Sequence, residues 1–117
     1  MNTSTEITDK MSWSEEKLLQ DLGSTSGLLM AQEDPRIRGA SLLGSLLLKL
    51  RPLLCGNSVI RGHFDPDKPI EEQVTLACAI CDLLSGLLTG VSPTTVTVLV
   101  LRQGLGRICE PIWSDEN

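Results

Sequence analysis

The chain has 117 residues and a net charge of −5, with two tryptophans, one phenylalanine and no tyrosine. A chain of this length forms a single domain, and its scarcity of aromatic residues beside abundant leucine argues against a β-sandwich or barrel and favours packed helices. The acidic balance also argues against a protein whose whole surface binds nucleic acid.

The N-terminal third begins with residues 1–11, which are polar and aperiodic and therefore predict a disordered tail. Ser12 and Glu15 then have the spacing of a capping box, which marks the start of a helix. Leucines at helical spacing predict a helix over residues 13–32, and its glycines leave open a break near 23–26.

The centre of the chain predicts a long helix over residues 35–54. Asp34 is placed as its N-cap and Pro35 as its first residue, where a missing backbone N–H costs nothing. Leucines cover nearly half of the helix circumference, as expected for a central element. Pro52 would remove a hydrogen bond, so the pattern predicts either a kink or an end at Arg51.

Charge is segregated around this central helix. From Pro35 through Phe64 there are five positive charges and no acid, whereas residues 1–34 and 65–117 each carry a net charge of −5. Guanidinium groups suit bidentate contact with phosphate, so this segment predicts a surface for an anion or for an acidic partner. The alternative is that these cations pair with acids elsewhere in the chain. The candidate residues are Arg36, Arg38, Ser41, Ser45, Lys49, Arg61 and His63.

Residues 56–68 have the composition of the longest loop and hold the sole histidine, His63. General acid–base catalysis needs a partner that orients the imidazole, and the sequence offers no nucleophile motif to accompany it. A P-loop, a Rossmann fingerprint and a paired-histidine metal motif are also absent from the sequence. These observations predict a protein that is not an enzyme and needs no cofactor.

Residues 69–89 predict the clearest amphipathic helix, and it contains the spacing Cys78-x-x-Cys81. A redox pair belongs at a helix N-terminus, whereas this pair is about three turns into the helix. A zinc site would require Cys55 and Cys109 to converge on the same point. We therefore expect small, reduced core residues in a cytoplasmic protein, with four-cysteine metal binding as the weaker alternative.

The last helix is predicted over residues 93–109, capped by Ser92. The β-branched run at 95–101 leaves a strand open as the competing interpretation. Residues 83–101 carry no charge, but a turn signal in their middle argues against a membrane span. Because this helix is apolar on several faces, it is either buried all round or exposed to a partner subunit. The predicted oligomer seam consists of Val98, Leu101, Leu105 and Ile108.

Together these patterns predict an all-α bundle of four to five helices within one domain, residues 12–113, followed by an acidic tail at 114–117. The predicted function is a non-enzymatic protein-interaction module, such as a small regulator, adaptor or inhibitor, that forms a homodimer or other homo-oligomer. The alternative function is binding of a phosphate-bearing ligand, a nucleotide or a nucleic acid, through the acid-free segment 35–64.

Overall fold

The computed structural model describes residues 3–25, 35–65, 67–69, 72–88 and 91–114. Within these ranges the chain forms helices and no strands, which confirms the all-α class. The predicted number of four to five helices is too low, because one predicted helix divides and two further helices form where none was expected. The helices are α1 (Thr3–Met11), α2 (Glu15–Thr25), α3 (Pro35–Cys55), α4 (Ser58–His63), α5 (Val74–Leu87), α6 (Pro93–Gln103) and α7 (Leu105–Trp113).

Helix α1 replaces the predicted disordered tail. It is polar along most of its length, yet Ile7 is fully buried and Met11 nearly so. Lys10, one turn after Ile7, is also buried and is held by side chains of the distant helix α6. The N-terminal residues are therefore ordered by tertiary contacts, which their own composition does not reveal.

Helix α2 is capped by Ser14, whose Oγ accepts a hydrogen bond from the N–H of Lys17 at 3.1 Å. The predicted cap, Ser12, instead donates its hydroxyl to the carbonyl of Asp9. Residues 26–32 of the predicted helix, and the predicted cap Asp34, lie outside the described residues.

Helices α2 and α3 pack at very close range. A Cβ atom at Gly39 would overlap the carbonyl group of Leu19, so only glycine permits this approach. Helix α3 then runs through Pro52 to Cys55, and the predicted end at Arg51 is wrong. After the proline, the N–H of Gly56 donates to the carbonyl of Pro52 at 3.0 Å and closes the last turn.

The predicted loop at 56–68 contains helix α4. Asn57 starts it, because its side-chain oxygen accepts hydrogen bonds from the N–H groups of Val59 and Ile60. Helix α5 begins at Val74, later than the predicted start at residue 69, and residues 70–71 lie outside the described ranges. The apolar spacing of this helix predicts a buried face of Ile70, Val74, Ala77, Ile80, Cys81, Leu84, Leu87 and Leu88. Ala77, Ile80, Cys81 and Leu84 are buried, whereas Leu87 is 47% exposed and the prediction is wrong there.

The predicted helix 93–109 is two helices. Ser92 caps α6 as expected, accepting from the N–H of Thr95 at 3.4 Å, and residues 95–101 are helical and not a strand. Gly104 ends α6 with φ 96°, a conformation that glycine adopts most readily, and α7 follows directly. Helix α7 includes Pro111 and Trp113.

Helix α6 forms the centre of the core, because every residue from Thr94 through Leu101 is buried. It packs against α1, α2, α5 and α7. The predicted oligomer seam is part of this core, because Val98, Leu101, Leu105 and Ile108 are all at most 6% exposed. The chain itself covers these side chains, so a partner subunit cannot use them. Among the described residues, no helix combines the length and apolarity that crossing a membrane requires.

Candidate functional site

The predicted anion-binding residues do not gather at one point. Arg38 donates to the carbonyl of Gly23 at 3.5 Å, while Lys49 is exposed about 16 Å further along α3, at 1.5 Å per residue. The guanidinium of Arg61 lies 5.3 Å from the ring centre of Trp113. Ser41, Ser45 and His63 are exposed, and the side chain of Arg36 is outside the described part of the chain. Arg38 and Lys49 are therefore too far apart to hold one phosphate group together.

The cysteines are also arranged differently from the zinc alternative. Cys55 and Cys109 form a disulfide that joins the end of α3 to α7, with their Cα atoms 5.4 Å apart. Cys78 and Cys81 remain free, and no group of three or more His, Cys, Asp or Glu within the described ranges could hold a metal ion. The expectation of four reduced thiols is corrected by this pairing.

The free thiol of Cys81 has no feature that would make it reactive. Burial raises its pKa, and although the Ser85 hydroxyl lies 4.0 Å from Sγ, that hydroxyl donates to the Cys81 carbonyl. A thiolate is the reactive form of cysteine, so a raised pKa makes the side chain an inert core residue. This agrees with the prediction that Cys81 is a small apolar core residue.

A buried polar cluster joins α1 to the first turn of α6. The Nζ of Lys10 donates to the hydroxyls of Ser92, Thr94 and Thr95 at 3.0, 2.9 and 2.9 Å. It also forms a salt bridge with Glu6 at 3.3 Å, and the Lys10 side chain is only 10% exposed. A buried ammonium group needs such partners, because removing it from water without them is costly.

The hydroxyls of this cluster continue to two carboxylates. Thr94 donates to Glu6 at 2.9 Å, and Thr95 donates to Asp21 of α2 at 2.6 Å. The hydrogen bond from Thr94 is the main reason that the pKa of Glu6 is lowered, and Lys10 lowers it further. The cluster therefore links α1, α2 and α6 through charge-assisted hydrogen bonds.

A lysine beside a serine can act as a general base, but this pair is arranged for a structural role. The Nζ of Lys10 is engaged by the carboxylate of Glu6 and by three hydroxyls of the first turn of α6. The Oγ of Ser92 is also the N-cap of α6. The cluster positions the N-terminal helix, and no signal in the local sequence of residues 1–11 could have revealed it.

The outward side of α3 carries the two most exposed large apolar residues of this helix. Ile37 is 59% exposed and Leu48 is 71% exposed, although both are large aliphatic side chains. Between them Gly44 is exposed, and a Cβ atom added there would meet nothing within 4 Å. We call this surface the α3 face, and it comprises Ile37, Ala40, Ser41, Gly44, Ser45 and Leu48, all exposed.

The two sides of the α3 face differ in charge. At 3.6 residues per turn, Lys49 lies beside the α3 face on the flank away from Ala40 and Gly44. On the other flank, Glu15 and Glu16 of α2 line a shallow depression together with Ile37 and Ala40. The α3 face is thus bordered by Lys49 on one side, and on the other by Glu15 and Glu16 together with Arg51, which follows Leu48 by three residues.

Comparison with protein-family models, characterised proteins and solved structures finds no match to this chain. Two features of the described residues remain that could serve a function. One is the α3 face, and the other is a cavity between α3, α6 and α7.

Proposed function

We propose that the protein is a non-enzymatic helical interaction module that self-associates through the α3 face. The observation that carries this proposal is the exposure of Ile37 and Leu48 on either side of a strip of small residues. Single exposed aliphatic residues are common on monomers, but here they share one helix face over three turns. Small residues between them allow the backbone of a second helix to approach closely.

The charges beside the α3 face favour a second copy of the chain as the occupant. When two helices pair in parallel about a two-fold axis, each flank of one helix faces the opposite flank of the other. Lys49 of each subunit would then face the flank where the other subunit carries Glu15 and Glu16. An antiparallel pair would place like flanks together and bring Lys49 towards the basic side of the partner helix. The parallel arrangement is therefore the one that we propose.

The size of the α3 face predicts weak association. From Ile37 to Leu48 the helix rises about 16 Å, and with a helix diameter of about 10 Å the footprint is about 160 Å². A standard interface buries roughly 800 Å² on each partner, so the flanks from α2 and α4 must contribute the remainder. We expect a dissociation constant in the micromolar range, as suits a small regulator, adaptor or inhibitor that exchanges partners.

The test is the solution mass of the protein measured by sedimentation over low to high micromolar concentrations. Leu48→Glu should raise the dimer dissociation constant at least about tenfold, because it would bury an unpaired charge in the interface. Leu87→Glu is the matched control, since Leu87 is 47% exposed and lies on α5, outside the proposed interface. Equal effects of the two substitutions, or a wild-type protein that stays monomeric throughout, would reject the proposal.

The cytoplasmic location remains a prediction of the sequence. The disulfide between Cys55 and Cys109 weighs against it, because such bonds persist mainly in oxidising compartments. Thiol alkylation of the protein taken directly from its native cell, followed by mass measurement, distinguishes two free cysteines from four. Four alkylated cysteines would favour the cytoplasm, and two would favour an oxidising compartment.

A further inference from the structure

Three arginines from three different helices converge on one cavity. Arg51 of α3, Arg102 of α6 and Arg107 of α7 line a cavity of about 390 Å³, together with Glu15, Gln103 and Ile108. This volume lies within the range of about 300–1,000 Å³ that is typical of small-molecule sites. The chain as a whole has a net charge of −5, so a cluster of three cations on one cavity is a local reversal of its charge.

Within the described ranges these three cations are not neutralised by ion pairs. The salt bridge found there joins Lys10 to Glu6, and none involves Arg51, Arg102 or Arg107. Of the acids that the structure describes, Glu15 alone lines the cavity, and it is not within salt-bridge distance of any of the three. The cavity therefore keeps an excess of positive charge, and charges of the same sign close together favour the binding of an anion.

Arg102 is held in place by main-chain atoms. Its Nη2 donates to the carbonyl of Met11 at 2.8 Å and also to the carbonyl of Trp13. Carbonyl groups orient a guanidinium without cancelling its charge. Because a guanidinium has five N–H donors, Arg102 keeps others for a ligand while its position is fixed.

Arg51 contributes an unsatisfied donor. Its Nε is buried and has no hydrogen-bond partner in the described structure, and the side chain as a whole is half-buried. A buried donor without an acceptor is costly, so an acceptor at this position would be favourable. Arg107 completes the group from the exposed side, where its side chain lies 3.8 Å from the position that a Cβ atom on Gly104 would occupy.

We propose that this cavity binds the phosphate group of a small ligand, such as a phosphate monoester or a diphosphate. Phosphate oxygens match the fork of donors that each guanidinium presents, and an anion with two or more charges would offset the three cations. The amide of Gln103 adds a neutral donor at the rim. None of the six residues of the α3 face lines this cavity, although Glu15 borders both the cavity and the α3 face.

The proposed site uses other residues than those that the sequence predicted. The acid-free segment 35–64 predicted phosphate binding, yet of its five cations only Arg51 lines the cavity. The other two arginines come from the acidic C-terminal part of the chain, where their charge is hidden in a net negative total. Only the packing of α7 against both α3 and α6 brings them together.

The experiment is isothermal titration of the full chain with pyrophosphate at low salt, alongside inorganic phosphate and a nucleoside diphosphate. Arg107→Gln should weaken pyrophosphate binding at least about tenfold, because it removes charge-assisted hydrogen bonds from an exposed side chain that the fold does not need. Lys49→Gln is the matched control, as it removes one positive charge from an exposed position of α3 outside the cavity. It should change binding less than about twofold, as expected for a distant screened charge.

Added salt should weaken binding by wild-type protein more than by Arg107→Gln, because the variant has one fewer cation facing the ligand. No heat and no thermal stabilisation with any of the three probes at low salt would overturn the proposal. Equal losses in Arg107→Gln and Lys49→Gln would also overturn it, because they would indicate general attraction to positive charge. Both comparisons are made at a protein concentration at which sedimentation shows each protein to be monomeric, because Lys49 also borders the α3 face and its partner flank includes Glu15.

Discussion

The buried lysine of α1 offers a strong test of how this fold is held together. Lys10→Met keeps most of the aliphatic stem and removes the ammonium that three hydroxyls and Glu6 share. Hydrogen bonds to charged groups contribute about 1.5–3 kcal/mol each, but the variant also avoids the cost of burying the ammonium. Breaking one side of a buried ion pair costs about 3–5 kcal/mol.

The cost of breaking a buried ion pair must be reduced for Lys10 and Glu6, because the side chain of Glu6 is 41% exposed and its carboxylate can be hydrated. We therefore expect Lys10→Met to lower the free energy of unfolding by about 2–3 kcal/mol. For a domain of this size the melting temperature should fall by about 6–12 °C.

Urea unfolding at neutral pH, followed by circular dichroism, measures this change directly. Lys68→Met is the matched control, because Lys68 is exposed and its loss should change stability by less than about 0.5 kcal/mol. A Lys10→Met protein within about 0.5 kcal/mol of wild type would refute the account of the cluster. It would mean that α1 is not anchored through Lys10.

Three further predictions test other features of the fold. Because the pKa of the Glu6 carboxyl is lowered in the folded protein, its charged form should stabilise the fold above about pH 4.5, and this stabilisation should be lost as the pH falls through the folded-state pKa. The difference in free energy of unfolding between wild type and Glu6→Gln, measured by urea titration, should therefore shrink as the pH falls through that range. Replacing Cys55 and Cys109 together by alanine opens a loop with a sequence separation of 54, and loop-closure entropy predicts that the free energy of unfolding falls by about 4 kcal/mol. A fall of less than about 1 kcal/mol would show that the disulfide contributes little to stability. Gly104→Ala should destabilise the protein by about 1–2 kcal/mol because residue 104 has a φ of 96°, whereas Gly86→Ala, in open space near the end of α5, should stabilise it slightly. A Gly104→Ala protein that melts at a higher temperature than Gly86→Ala would contradict the backbone conformation at Gly104.

The parts of this fold that the sequence predicted are those determined by local chemistry. Ser92 before Pro93 is a strong helix start, and it caps α6 as expected. The all-α class followed from abundant leucine and scarce aromatic residues, and the apolar spacing of α5 identified most of its buried residues. Each of these features depends on residues within a few positions of one another.

The parts that the sequence did not predict depend on residues far apart in the chain. Helix α1 looks disordered by composition, and the hydroxyls that hold Lys10 lie 82 to 85 residues away. Because the predicted helix 93–109 is apolar on several faces, its sequence left open whether it is buried within the chain or exposed to a partner subunit. The structure shows that α6 is buried within the chain. Helix α4 was not predicted because asparagine is common both at the C-terminal end and at the N-cap of a helix, so Asn57 alone does not show which of the two it forms.

The candidate sites divide in the same way. The exposed apolar residues of the α3 face could be found from the sequence, because Ile37 and Leu48 fall on the opposite side of the helix from the arc formed by its leucines. The arginine cavity could not be found, because no pattern within the chain connects Arg51 with Arg102 and Arg107 before the helices pack.

The most direct test of the proposed function is the solution mass of three proteins at about 100 micromolar, which exceeds a dissociation constant in the low micromolar range. Gly44→Gln places a long side chain in the middle of the α3 face, and Gly86→Gln places the same side chain at an equally open position on α5. Both replacements favour the helix in the monomer, so loss of folding should not confuse the result. We predict that wild type and Gly86→Gln approach twice the chain mass of 12.7 kDa, while Gly44→Gln stays near 12.7 kDa. A wild-type mass of 12.7 kDa, or a Gly44→Gln protein as dimeric as Gly86→Gln, would contradict self-association through the α3 face.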